Sequence, residues 1–236
     1  MDNILLIDKP SGITSFDCIR ILRKKLGIRK MGHAGTLDPL ATGLMIIGVG
    51  EGTKMLGQYL KLSKTYESTI LFGLHTDTGD ITGRELPISN NQFPNNNSIS
   101  KISNEAIEKV LKGMVGKLEL PVPAYSAVKR GGEPLYKKAR RGETVKPPIK
   151  TMDVKSADFL GLLDCHSTEK WNPENLDSSF RWNDKMIVKA RFSVGSGTYI
   201  RSLAEELGRR LGVPTTLAAL RRTSIGSFKI EDAEPI

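Results

Sequence analysis

Short strand-like runs and helix-period segments alternate along this chain without the regular spacing of repeated βαβ units. That pattern points to the α+β class with a mixed or antiparallel sheet. Asn3 to Ile7 is an apolar run that predicts a strand, ended by the turn DKPSG. Thr14 and Asp17 make a capping-box-like pair opening a helix. Phe16, Ile19, Leu22 and Leu26 share one face of it, and Gly27 sits at its C-cap. Leu44 to Val49 and Tyr66 to Leu74 predict strands. A helix over about Glu105 to Met114 carries Ile107, Val110, Leu111 and Met114 inward, and a basic one over Pro134 to Arg141 stops at Gly142. Lys185 to Val194 alternates as a strand does. Ile200, Leu203, Ala204, Leu207 and Leu211 line one face of a helix ending at Gly212, and SIGSFKIEDA reads as a last strand.

Two stretches look like loop insertions: the Asn- and Ser-rich segment 89–104, and segment 164–185, which holds both tryptophans without periodicity. At 236 residues the chain suffices for one large domain or two small ones with a sizeable core. Charge is the unusual bulk property, with 35 basic residues against 26 acidic, a net +9. Arg20, Arg23, Lys24, Lys25, Arg29 and Lys30 follow one another with no acid among them. Lys129, Arg130, Lys137, Lys138, Arg140, Arg141, Lys146 and Lys150 form a second cluster against only Glu133 and Glu143. Any one cluster is accounted for by a solvated helix face; together they favour a polyanionic partner, with nucleic acid the leading candidate. Cys18 and Cys165 lack metal or redox spacing and the three histidines are scattered, so no disulfide framework or zinc site is indicated. The N-terminus is too short and acidic for a signal peptide, and no apolar run approaches membrane-spanning length. A cytoplasmic protein is the expectation.

GHAGTLDPLATG, from Gly32 to Gly43, sets a single acid among small residues. Pro39 pushes Asp38 out of helical backbone, and the glycines permit sharp reversals and close approach. An Asp-Pro turn is the plain account of this stretch taken alone; a loop presenting one carboxylate is the functional one. GVGEGTK fails as a phosphate loop because Thr53 precedes Lys54. HTDTGD matches no calcium loop and reads as a hairpin turn. Tyr66, Tyr125 and Tyr199 would each suit a core position. Taken with Asp38 and Arg201, they also offer a carboxylate, a guanidinium able to keep it ionised and a ring on which a base could stack.

Six ordered blocks carry a resemblance: LLIDKPSGITSFD, KMGHAGTLDPLATGLMIIGVGEGTK, KTYESTILFGLHTDTGDITG, PAYSAVKRGGEPLYKKARRGE, SGTYIRSLAEELG and LRRTSIGSFKIEDA. They span nearly the whole chain apart from the two insertions, and the chain resembles the TruB family of tRNA pseudouridine(55) synthases. The resemblance implies a pseudouridine-synthase-like α+β fold over residues 1–236, with a mixed, largely antiparallel sheet flanked by helices and no C-terminal PUA domain. It implies a monomer that isomerises uridine 55 in the T-arm stem-loop of tRNA with no cofactor or metal and no membrane. Asp38 is then the catalytic aspartate, Tyr66 the ring stacking on the uracil and a candidate base for late proton removal, and Arg201 the partner of the carboxylate. His33 fills the space left by the extruded nucleotide, and Lys9 and Pro10 match a KP motif that supports the active-site loop. Tyr199, Leu220, Tyr125 and Lys129 complete, with His33 and Lys9, the implied substrate-binding set. The chain departs from the family where Leu120 replaces a common glutamine, where one proline precedes AYSA, and where VGSGTYIRSL lacks a cysteine and a lysine. The rival expectation is a synthase-like RNA-binding protein acting as a tRNA-folding chaperone.

Overall fold

The computed structural model describes residues 4–87, 99–163 and 185–236. Both expected insertions fall mainly outside these residues, as do Cys165 and both tryptophans. In chain order the elements are β1 (Ile4–Lys9), α1 (Ser15–Leu26), β2 (Met31–His33), β3 (Thr42–Val49), α2 (Leu56–Lys61) and β4 (Lys64–Phe72). Next come α3 (Asn104–Lys112), β5 (Gly116–Pro121), β6 (Lys129–Arg130), β7 (Glu133–Pro134), α4 (Leu135–Arg140) and β8 (Ile149–Leu163). The chain continues with β9 (Met186–Val194), α5 (Ile200–Leu211), β10 (Thr215–Ile225), β11 (Phe228–Lys229) and β12 (Glu234–Pro235). Strand order is β12-β1-β3-β10-β4-β9-β8-β5, with β2 on β3 and β11 on β10. This is the mixed, largely antiparallel α+β arrangement that the alternating runs require. The residues divide into two compact units, one made of Met1–Glu67, Ser193–Ser196 and Ala219–Ile236, the other of Ser68–Phe192 and Gly197–Ala218.

The first unit is built on β3, whose Leu44, Met45, Ile46 and Ile47 are all inaccessible to solvent. A near-continuous apolar run is what a strand covered on both faces needs. β1 runs antiparallel to it, pairing Ile4 with Gly48 and Lys9 with Gly43. On the other edge of β3, β2 pairs antiparallel at Ile47, Gly48 and Val49, and β10 joins in parallel at Arg221–Thr42 and Arg222–Gly43. Ala34, Leu44, Ile46 and Ile225 form a core onto which Tyr59 and Phe228 pack edge to face, 5.5 Å between ring centres.

α1 opens on the capping box expected of it, with Thr14 accepting from the Asp17 amide, and closes on left-handed Gly27. Its buried stripe is Ser15, Cys18, Ile19 and Leu22. Phe16 and Leu26 are therefore not core residues as their spacing suggested, being 56% and 45% exposed. The true stripe starts one residue earlier, on a serine that hydropathy cannot flag, and Phe16 instead lies under the Arg23 guanidinium at 5.8 Å. The tail SIGSFKIEDA is also not one strand: it holds the end of β10, a turn at Gly226, and the short β11.

In the second unit β5 and β8 pair antiparallel from Gly116–Val154 to Pro121–Ile149. α3 buries Ile107 and Leu111, with Met114 just beyond its end also buried, and Val110 is only partly covered. α5 buries Ile200, Leu203, Ala204, Leu207 and Leu211 and ends on left-handed Gly212, as its periodicity predicts. HTDTGD forms the expected hairpin, closed by the Asp77 amide on the Arg84 carbonyl at 3.1 Å and the Leu86 amide on the His75 carbonyl at 2.8 Å. β6 and β7 make a separate two-stranded ribbon leading into α4.

Candidate active site

Asp38 lies in the loop joining β2 to β3, and the first unit holds that loop residue by residue. Ser15 Oγ donates to the Leu37 carbonyl at 3.1 Å and accepts from the Leu37 amide at 2.8 Å. The Asp38 carbonyl accepts from the Ala41 amide at 3.0 Å, and the Pro39 carbonyl from the Gly12 amide at 2.9 Å. Ser11 Oγ donates to the Leu40 carbonyl at 3.0 Å. These holds engage backbone groups, so none of them consumes the Asp38 carboxylate.

Lys9 completes the support from within. Its ammonium has three protons and meets three carbonyls, those of Pro10 at 2.8 Å, Ile13 at 2.7 Å and Pro39 at 3.2 Å. The side chain is 0% exposed, so it lies beneath the loop rather than at a surface where RNA could reach it. Burial lowers its pKa, opposed by the neighbouring Cys18 and Asp38. His33 ends β2 half-buried; burial and then the Arg222 charge lower its pKa, which keeps the imidazole neutral at pH 7. Its Nδ1 is buried and meets no hydrogen-bond partner among the described residues.

Tyr66 is buried on β4, on the same face as Lys64 two residues earlier. The Lys64 ammonium donates to the Leu60 and Leu62 carbonyls, each at 2.6 Å, tying the end of α2 to the start of the strand. Leu220 is buried on β10. Beside it Arg221 grips both oxygens of Asp8, at 3.2 and 2.7 Å.

The second unit carries the other candidates. Arg201, on the first turn of α5, is buried and donates to the Thr78 carbonyl at 2.7 Å and the Tyr125 carbonyl at 3.0 Å. Asp80 Oδ2 lies 3.9 Å from the same guanidinium. Asp80 is itself fixed, its Oδ1 accepting from Thr78 Oγ1 at 2.9 Å, the Thr82 amide at 3.0 Å and Thr82 Oγ1 at 2.6 Å. The spacing of HTDTGD predicts only a turn, and Asp80 does not stand out in it. The signal was present in the threonines two residues to either side, which can satisfy a buried carboxylate locally. Burial raises the pKa of Glu205, one helical turn beyond Arg201, against the pull of that guanidinium.

Tyr125 donates its hydroxyl to Asp77 Oδ2 at 3.5 Å, and burial followed by the Asp77 charge raises the phenol's pKa. Tyr199 is the residue from which α5 starts, with Lys150 Nζ 5.8 Å from its ring centre. Lys129 is exposed on β6 and shares no hydrogen bond with Tyr125 or Arg201. The structure thus groups Lys9, His33, Asp38, Tyr66 and Leu220 in one unit, and Tyr125, Lys129, Tyr199 and Arg201 in the other. Among the described residues no cluster of three or more His, Cys, Asp or Glu could hold a metal ion, and no helix is long and apolar enough to cross a membrane.

Comparison with known proteins places these features in context. Residues 23–200 match the family model described as TruB family pseudouridylate synthase (N terminal domain). The chain is 37% identical over 229 residues to tRNA pseudouridine synthase B of Xanthomonas axonopodis pv. citri (strain 306), covering 97% of this chain and 65% of that protein. It therefore spans less than two thirds of that relative's length. The corresponding protein of Bordetella pertussis is 35% identical, with 99% of this chain and 84% of the relative covered. Among solved structures, a Cbf5-Nop10-Gar1 complex matches with a TM-score of 0.65 at 23% identity, covering 99% of this chain and 52% of the other. At that identity the likeness speaks for the fold alone.

Proposed function

The chain belongs to the TruB family of pseudouridylate synthases, and from that membership we propose that it isomerises uridine 55 in the T-arm of tRNA to pseudouridine, as a cytoplasmic monomer. The observation that carries this reading is the loop of Asp38, whose flanking backbone groups are held by Lys9, Ser11, Gly12 and Ser15. A carboxylate on so fixed a support is prepared for chemistry at a defined point. Both units belong, in this proposal, to one catalytic domain over residues 1–236.

Pseudouridine formation breaks the bond from C1′ to N1, turns the uracil, joins C1′ to C5, and moves a proton from C5 to N1. The target nucleotide must first leave its stack, at a cost of a few kcal/mol that is smaller in a loop than in a duplex. Stacking on Tyr66 offsets roughly 1–3 kcal/mol of it. An ionised Asp38 then starts the reaction by attack at C1′, by addition at C6, or as the base of a glycal elimination. Each route needs the carboxylate unprotonated, and the proposed partner for that purpose is Arg201, whose orientation Thr78, Tyr125 and Asp80 restrict. A neutral His33 occupies the space that the extruded nucleotide vacates. Tyr66 is the proposed acceptor of the C5 proton. Lys129 and its basic neighbours hold phosphates without reading bases.

The test is incubation with unmodified tRNA followed by pseudouridine mapping. Wild-type protein is expected to modify position 55. Asp38→Asn is expected to abolish turnover while RNA affinity stays within about threefold, because the amide keeps the shape but is neither nucleophile nor base. Turnover by the variant above about one per cent of wild type would remove Asp38 from the chemistry.

A further inference from the structure

Arg222 is among the largest side chains of the molecule that are fully buried, at 1% exposure. A buried guanidinium normally faces a carboxylate, yet this one donates to backbone carbonyls. Its Nε meets the Leu44 carbonyl at 2.7 Å and its Nη2 meets the Gly35 carbonyl at 3.3 Å. Gly35 lies where the chain leaves β2 for the Asp38 loop, and Leu44 lies where it has returned to β3. One planar group therefore spans the two ends of the loop. The backbone of Arg222 secures the returning end as well, because the Arg222–Gly43 pairing of β10 with β3 is so close that a Cβ on Gly43 would lie 2.3 Å from the Arg222 carbonyl oxygen.

We infer that Arg222 is a positioning residue for the reaction of Asp38, closing the neck of its loop through the Gly35 and Leu44 carbonyls. The inference rests on the proposed isomerase activity. Lys9, Ser11, Gly12 and Ser15 hold the loop along its length, and the β2–β3 pairing with the Ala34 amide on the Ile46 carbonyl joins its base; Arg222 adds one side chain that bonds to both the Gly35 and the Leu44 carbonyls. A guanidinium suits this task because its Nε–Nη2 edge fixes the separation of two donors. An ammonium at the same place can satisfy one end or the other with no fixed geometry between them. The charge reaches further than the bonds. His33 and Lys64 each have a pKa lowered first by burial and then by Arg222, and for Lys9 burial lowers the pKa while Arg222 opposes the upward pull of Cys18 and Asp38.

The experiment pairs amide hydrogen exchange with single-turnover pseudouridine formation on whole tRNA, for wild type, Arg222→Lys and Arg222→Met. The Leu37 and Ala41 amides report on the loop directly, since their acceptors are Ser15 Oγ and the Asp38 carbonyl. In Arg222→Lys these two amides are expected to exchange about tenfold faster while the amides of α5 are unchanged. The single-turnover rate is expected to fall about thirtyfold with tRNA affinity within about threefold of wild type. If Arg222→Met does not fold, Arg222→Lys decides. Wild-type exchange at Leu37 and Ala41 in a folded variant overturns the assignment, whether or not the rate has fallen, because the guanidinium would then not be acting through the loop. Wild-type protein that makes no pseudouridine would instead overturn the proposed function, with the exchange result standing on its own.

Discussion

Three cations of the first unit, Lys9, Lys64 and Arg222, are buried against backbone carbonyls instead of acids. Carbonyl oxygens can replace the solvation of an ammonium without neutralising it, so such a group remains costly to charge. Lys64 shows this most clearly: burial, with the Arg222 charge adding to it, brings its pKa down from 10.5 to about 8. Below pH 8 both folded and unfolded chains hold the proton, and the folded state bears the full cost. Between pH 8 and 10.5 the unfolded chain still binds a proton that the folded one has released, so stability contributed by this group rises with pH. Urea unfolding of wild type and Lys64→Met from pH 7 to 10 is expected to show the wild type gaining on the variant by roughly 1–3 kcal/mol. The carbonyls left without a donor in the variant contribute an offset that does not change with pH. A difference that stays flat across this range would mean that the ammonium is as well solvated in the fold as in water.

At the level of elements, the helices were the most legible part of the sequence. Thr14 with Asp17, Gly27 and Gly212 mark helix ends by chemistry that depends only on near neighbours. The face of α1 was read one residue out of step because Ser15 holds a core position through two hydrogen bonds to Leu37, an arrangement that involves residues 22 positions apart. β5 and β8 escaped notice because each shows one buried face broken by Lys, Asp and Glu on the other. The site divides in the same way. GHAGTLDPLATG and the other family blocks pointed to Asp38, Tyr66 and Arg201 directly from the sequence. Asp80 and Arg222 stayed hidden, since the significance of each lies in a partner that only the folded chain supplies. Gly43 is legible in retrospect as the residue that lets β10 approach β3, with φ +108° and no room for a Cβ. Gly43→Ala is accordingly expected to destabilise the protein by roughly 2–4 kcal/mol, measured by thermal or urea unfolding. An unchanged midpoint would show that the two strands can part at this point without cost.

For the molecule as a whole, the net charge of +9 overstates what is available to a polyanion. Arg20 is paired with Asp17, Lys30 with Glu51, and Arg141 with both Glu133 and Glu143. Lys137 and Lys138, on α4, enter no such ion pair among the described residues. If about five phosphates are neutralised on binding, tRNA affinity is expected to fall about a hundredfold or more between 50 and 200 mM salt. Replacing Lys137 and Lys138 by alanine should lower the slope of log affinity against log salt by about one for each, with the rate at saturating RNA unchanged. An unaltered slope would place the phosphates elsewhere. The closure of the Asp38 loop also has a bearing on how the protein is made. Asp38 leaves the ribosome 184 residues before Arg222, β3 waits a similar interval for β10, and β1 waits longer still for β12. At about 5–20 residues per second this is an interval of roughly 10–40 s, during which the nascent chain has its aspartate but not the strand that fastens it. The proposed activity therefore depends on the last part of synthesis, since a polypeptide interrupted in that interval carries Asp38 on a loop that β10 and Arg222 do not yet fasten.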